Sequence, residues 1–204
     1  TGKIKSILII SIALILCVLF YYKYLNFAAS LLSKVLSVFG IAVLQKEFDI
    51  ILPVGISFFS FQAIGYLIDV YRGEIYAEKN FFKYALFVSF FPQLVAGPIE
   101  RSKNLLKQLG QTYKFSFFNL KSGLFTMLYG YFLKVVVADR ASVLVDSVYQ
   151  TGGSTGIQIA FATFIFAIQI YCDFAGYSYT AIGAAQMLGF RFKTNFRQPY
   201  MSLS

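Results

Sequence analysis

Histidine is missing from all 204 residues of the chain. Its absence excludes a Ser-His-Asp triad, an HExxH zinc site and any histidine general base within these residues. Charge is scarce: 13% of the residues are Asp, Glu, Lys or Arg, where a soluble domain carries about a quarter. There are two cysteines, Cys17 and Cys172, and no CxxC, so neither a zinc site nor a disulfide framework is indicated. Both lie in apolar runs and read as membrane-buried thiols. No GxxxxGK[ST] or GxGxxG occurs, which leaves nucleotide binding without support. No internal repeat or long linker divides the chain, so 1–204 reads as a single membrane domain. It has no initiator methionine and stops at Met201-Ser202-Leu203-Ser204 without a tail, as expected of a piece cut at both ends.

What is present is apolar: 58% of the residues are hydrophobic. The most informative stretch is 157–190, with one charge, Asp173, in 34 residues. As helix it would be about 51 Å long, beyond a ~30 Å hydrocarbon core. We expect span five at 157–175, then a re-entrant or second short helix at 178–190. The formal net charge of +9 would suggest nucleic acid in a soluble protein. Here Lys and Arg gather in loops and fix topology, so the partner is the lipid bilayer and no nucleic acid is expected.

Four further spans are read at about Ile4–Tyr22, Ile51–Val70, Phe81–Gly97 and Phe117–Val137. Asn26–Leu44 mixes Lys34 and three serines with apolar residues and reads as an interfacial amphipathic helix, though a span fits too. Lys46-Glu47-Phe48-Asp49 is a polar break, and Tyr71–Asn80 a charged loop. Pro92 should kink or break the third span. Glu100–Gln111 is basic and amphipathic, and Lys121 and Lys134 can snorkel from the ends of the fourth span. Asp139–Gly156 is a loop holding a short amphipathic piece. The expected fold is all-α: a polytopic transmembrane protein with kinked, re-entrant and interfacial amphipathic helices. Basic residues at 100–114 and at Arg191, Lys193 and Arg197 share one side if 178–190 re-enters, and the positive-inside rule makes that side cytoplasmic.

Gly152-Gly153-Ser154-Thr155-Gly156 matches GxSxG, but without histidine or a preceding strand it is a loop. Ala181, Ala185 and Gly189 share a helical face at a spacing that lets helices approach closely, or that lines a narrow acyl tunnel. A lone carboxylate in such a run faces a partner or a wet cavity. Asp173 and Tyr177, four residues apart, can share that face, either as a helix-to-helix contact or as the polar wall of a cavity. Asp69 sits at a span end and reads as interfacial. Phe90–Arg101 holds two prolines and a glycine, which frees backbone groups at membrane depth. Gln93 and Arg101 are then candidate polar contacts, against the alternative of a simple kink with a snorkelling arginine. No residue set suggests a metal site.

Several ordered blocks resemble the membrane-bound O-acyltransferase family: Leu52-Pro53-Val54-Gly55-Ile56-Ser57-Phe58-Phe59-Ser60-Phe61-Gln62, Tyr66–Gly73, Phe87–Arg101, Tyr171-Cys172-Asp173-Phe174-Ala175-Gly176-Tyr177-Ser178 and Asn195–Ser202. They cover about 51–204. The form Pro92-Gln93-Leu94-Val95-Ala96-Gly97-Pro98-Ile99 is similar to the alginate O-acetyltransferase branch. The D-alanyl transferase branch tends to have Ser-Gly-Pro there. One departure is Tyr179-Thr180, where the family commonly has Asp-Ile or Asp-Met, so a local charge is lost.

The resemblance implies a bacterial plasma-membrane, multi-pass enzyme that passes an acyl group, usually acetyl, from a cytoplasmic donor such as acetyl-CoA toward an extracellular polysaccharide. It implies an extracytoplasmic acetyltransferase as partner and no bound cofactor. The family's essential histidines lie beyond Ser204, so no catalytic residue is named here. Gln93, Arg101, Asp173 and Tyr177 remain the substrate-binding or channel-lining candidates. A transporter or flippase module for an acyl or lipid-linked substrate is the alternative built from the same broken helices and buried acid.

Overall fold

The computed structural model of the chain describes residues 2–40, 48–94, 97–98, 100–150, 152–196 and 200. Among them there are helices and no strands. Lys46, Glu47, Val95, Ala96, Ile99, Arg197 and most of the terminal Pro-Tyr block lie outside the described residues. Two helices, Gly2–Val38 and Gly156–Met187, are long and apolar enough to cross a membrane. The chain divides into two compact units, residues 1–89 with 101–109, and residues 90–100 with 110–204.

In the first unit, α1 (Gly2–Val38) is unbroken through the expected interfacial stretch. The polar residues there do not interrupt it, because their hydroxyls are satisfied by the helix itself. Ser30, Ser33 and Ser37 donate to the carbonyls of Phe27, Ser30 and Lys34, three residues back. Only Leu19 of α1 is buried, while Ile4, Ile7, Leu14 and Phe27 are 60–65% exposed. In water such a surface would be costly, at about 25 cal/mol per Å² of apolar area; in lipid it is not.

α2 (Ile56–Tyr71) starts from Gly55, whose φ of 77° suits glycine. At 16 residues it is about 24 Å long, shorter than the expected span. α3 (Phe81–Val88) is capped by the Asn80 side chain, which accepts from the Lys83 amide at 3.2 Å. The unit's aromatic centre is Tyr66, Tyr84 and Phe87, with ring centroids 4.8 to 6.3 Å apart. α5 (Ser102–Leu109) buries Ser102, Leu105 and Leu106 and exposes Lys103 and Lys107, as its amphipathic pattern predicts. Asp69 is more than interfacial: it accepts a hydrogen bond from Ser102 Oγ.

The second unit is organised by a helical hairpin. α6 (Phe117–Tyr131) passes without a break into a π-helical segment, Phe132–Ala138, and then into α7 (Asp139–Gln150). The expected loop after Asp139 is therefore helix as far as Gln150. Gly152–Thr155 reverse the chain. Ser154 Oγ donates to the Val148 carbonyl at 2.7 Å, and Thr155 and Gln158 form a capping box that starts α8 (Gly156–Met187). The GxSxG match is thus a turn plus a helix cap.

α8 is one helix of 32 residues, about 48 Å long, and not a span followed by a re-entrant piece. Gly176 does not break it, because that glycine serves packing. A β-carbon on Gly183 would meet the Gly123 carbonyl oxygen at 2.5 Å, and one on Gly176 the Gly130 oxygen at 2.8 Å. Two glycine pairs, each seven residues apart on its own helix, bring α6 and α8 together in antiparallel register. The helix ends in a Schellman motif: Phe190 N–H donates to Ala185 O and Gly189 N–H to Gln186 O, both at 2.9 Å, with Gly189 at φ 91°. Gly189 belongs to this cap and not to a small-residue face. Pro92 breaks the third expected span as predicted. α3 stops at Val88, and a single helical turn, α4 (Phe91–Leu94), follows.

Candidate functional site

The hairpin carries three charged side chains at one level. Lys134, on the π-helical segment, places Nζ 2.6 Å from Asp173 Oδ1 on α8 and 2.7 Å from Asp139 Oδ1 at the start of α7. The Asp173 contact is ionic: that oxygen is buried and accepts no aligned hydrogen bond. The ring of Tyr177, one turn after Asp173, lies under the ammonium with its centroid 5.2 Å away. The π-helical segment puts Lys134 there. An i→i+5 segment swells the helix locally, and such segments recur at functional sites. Gly176 makes the approach possible, since a β-carbon on it would stand 2.9 Å from the Lys134 amide nitrogen.

Beside the cluster is a cleft of about 330 Å³. Phe91, Pro92, Met127, Ala181 and Ala184 give it apolar walls, and Lys134, Tyr131, Tyr177 and Thr180 supply its polar groups. Neither Asp139 nor Asp173 lines it. Thr180 Oγ1 donates to the Gly176 carbonyl at 2.9 Å, and Gly97 closes over Ala181 so tightly that a β-carbon there would lie 3.0 Å from that of Ala181. The Lys134 and Asp173 side chains are 25% and 35% exposed, and of the two it is Lys134 that lines the cleft.

Of the four candidates read from sequence, Asp173 and Tyr177 come together here. Gln93 is buried on α4 in the same unit but does not line the cleft. Arg101 falls in the other unit, where its carbonyl accepts from the Asn104 and Leu105 amides at the start of α5 and its side chain is exposed. Lys134 was missed as a site residue. It reads as a snorkelling lysine, whereas it is the counter-ion of Asp173. The signal was available, because a carboxylate in an apolar run requires a cation and Lys134 lies inside another apolar run. Asp139, assigned to a loop, was missed as well.

No family model matches the chain. Its relatives do decide its family. It is 39% identical over 198 residues to the probable alginate O-acetylase AlgI of Pseudomonas aeruginosa, an alignment that covers 97% of this chain and 38% of that protein. The chain belongs to the membrane-bound O-acyltransferase family. It is also 32% identical over 186 residues to the peptidoglycan O-acetyltransferase of Helicobacter pylori, covering 78% of this chain and 35% of the relative. The teichoic acid D-alanyltransferase of Streptococcus thermophilus is 25% identical over 166 residues, covering 72% and 37%. The chain therefore spans well under half the length of these O-acyltransferase relatives. The two long apolar helices fit the membrane setting that the family's name states.

The departure at Tyr179-Thr180 has a structural counterpart. Tyr179 donates through its hydroxyl to the Phe196 carbonyl at 3.3 Å and packs edge-on against Tyr129. Thr180 lines the cleft.

Proposed function

We propose that the chain is part of a multi-pass bacterial plasma-membrane O-acyltransferase that passes an acyl group, acetyl by preference, from a cytoplasmic donor such as acetyl-CoA toward an extracellular polysaccharide. The supporting observation is the similarity along 97% of the chain to a protein named alginate O-acetylase, with a peptidoglycan O-acetyltransferase also among its relatives. An extracytoplasmic acetyltransferase that completes the transfer is the partner this reading requires. In it Tyr177 is part of the polar wall of the acyl path, Asp173 holds Lys134 at that wall, and Gln93 supports the path from α4. Arg101, in its own unit, is a separate candidate contact for the donor.

The geometry fits such a task. An apolar cleft beside a paired charge accepts a hydrocarbon group and offers its polar end a few fixed partners. Deleting the full-length gene and measuring ester-linked acetyl on exported polysaccharide tests the function. Loss on deletion and recovery on complementation are expected. Unchanged O-acetylation in the deletion strain overturns the proposal.

A further inference from the structure

Resting on the acyltransferase reading, we infer that Lys134 is the side chain that binds the carbonyl oxygen of the acyl group in the cleft, with Asp139 and Asp173 as its positioning residues. An ammonium has three N–H donors and no acceptor. One of them goes to Asp139 at 2.7 Å, and the Asp173 carboxylate draws the ammonium electrostatically from 2.6 Å. Neither carboxylate lines the cleft, while Lys134 does, so the two acids hold the ammonium in place and leave a donor for the cavity. The Tyr177 ring at 5.2 Å limits where the ammonium can swing.

Charge decides what that donor binds. One lysine between two aspartates carries a formal charge of −1, so a carboxylate or phosphate in the cleft meets net repulsion at short range and low dielectric. A neutral carbonyl oxygen, whose dipole points its negative end at the ammonium, does not. The remaining walls are apolar, which suits the hydrocarbon side of a thioester or ester. At about 330 Å³ the cleft falls at the lower end of small-ligand pockets, ~300–1,000 Å³, room for an acyl group with the atoms linking it to its carrier. In this role Lys134 forms no covalent bond and transfers no proton. It orients and polarises the carbonyl, as a preorganised donor does.

The test uses the full-length protein in native membranes with acetyl-CoA carrying 13C at the carbonyl. Difference infrared spectroscopy reads the labelled carbonyl stretch, and acetyl transfer is measured on the same preparation. A hydrogen bond from an ammonium weakens C=O, so wild type is expected to show a bound band below that of free acetyl-CoA. Lys134→Met is expected to abolish that band and to lower kcat/KM by about a hundredfold. Ala184→Phe fills the cleft while leaving the ion pairs in place, and is expected to abolish the band in protein inserted at wild-type level. A lowered band that survives in Lys134→Met, or in Ala184→Phe should Lys134→Met fail to insert, overturns the inference. So does the lack of a lowered band in a wild-type preparation that transfers acetyl. A wild-type preparation that transfers no acetyl overturns the acyltransferase reading itself, and this inference with it.

Discussion

Gly130 and Gly176 meet across the hairpin with no room for a side chain on either. A β-carbon added to Gly130 would lie 2.6 Å from the Gly176 carbonyl oxygen, and one added to Gly176 2.8 Å from that of Gly130. This contact fixes how close α6 and α8 come and stands directly beside Lys134. Gly176→Ala is therefore expected to destabilise the fold by about 1–3 kcal/mol, the usual cost of overpacking. Gly65→Ala, with nothing within 4 Å of the added carbon, is the control and should be neutral or slightly stabilising. Thermal unfolding in detergent compares the two.

Asp173→Asn keeps shape and hydrogen-bonding capacity but removes the charge. It leaves Lys134 paired with Asp139 alone. In the full-length protein we expect normal membrane level and O-acylation reduced at least about tenfold, equivalent to about 1.4 kcal/mol of barrier. Wild-type acylation at normal expression would show the charge to be dispensable. A lost or aggregated protein would assign Asp173 to packing.

Lys134 and Asp173 should also be coupled in stability. A double-mutant cycle with Lys134→Met and Asp173→Asn is expected to give an interaction energy of about 0.5–3 kcal/mol, because each single change leaves the other charge short of a partner. Strictly additive losses in unfolding would mean that the ion pair is decorative.

Asp69 at the end of α2 is hydrogen-bonded to Ser102 at the start of α5, and α3 is far too short to cross a bilayer. The α2–α3 loop and α5 are therefore expected to share one face of the membrane, and the basic residues of 100–114 make that face cytoplasmic. Tyr76 is 99% exposed and offers a better labelling site than Glu78, which is tied to Lys83 at 2.9 Å. Cysteines at Tyr76 and Lys107, in a background with Cys17→Ser and Cys172→Ala, are to be treated with an impermeant thiol reagent on intact cells. Labelling at neither position, with both labelled once the cells are permeabilised, is the expected result. Labelling at both on intact cells reverses the orientation, and labelling at 76 alone would separate the loop from α5.

The same loop should respond to acid. The Lys83 side chain, followed by the Asn80 amide, holds the Glu78 carboxyl below its ordinary value of 4.5. A carboxyl depressed in the folded state stabilises it above the unfolded value, and that contribution fades as pH falls through the folded one. The bridge lies at the surface, so the effect is small, within about 1 kcal/mol. Glu78→Gln should lower the melting temperature slightly at pH 6, and by progressively less as the pH falls below the ordinary carboxyl value of 4.5.

Much of this architecture was legible in the residues. Pro92 ends a helix where its ring demands it, and the alternation of α5 places Leu105 and Leu106 inward. Asp173 announced that something must face it. The partner was hidden because it lies on another helix, and the register between two helices is set by glycine pairs whose significance appears only once they are opposed. Gly176 alone reads as a weak point, which is why the run 157–190 invited a break; opposite Gly130 it is a contact. Ser30, Ser33 and Ser37 misled in the same way, since a serine satisfied by its own helix looks polar in sequence and costs little in place.

The π-helical segment Phe132–Ala138 leaves the two halves of its strut out of phase. A π turn holds one residue more than the α turn it replaces, and one residue is about 100° of rotation at 3.6 per turn. The wide turn absorbs that extra residue. Wound as uninterrupted α-helix with every residue kept, the strut would swing Asp139 about a quarter-turn from the lysine it now holds, and with it the face that α7 turns to α8. The irregularity is thus a phase-setting device: a better helix would make a worse site.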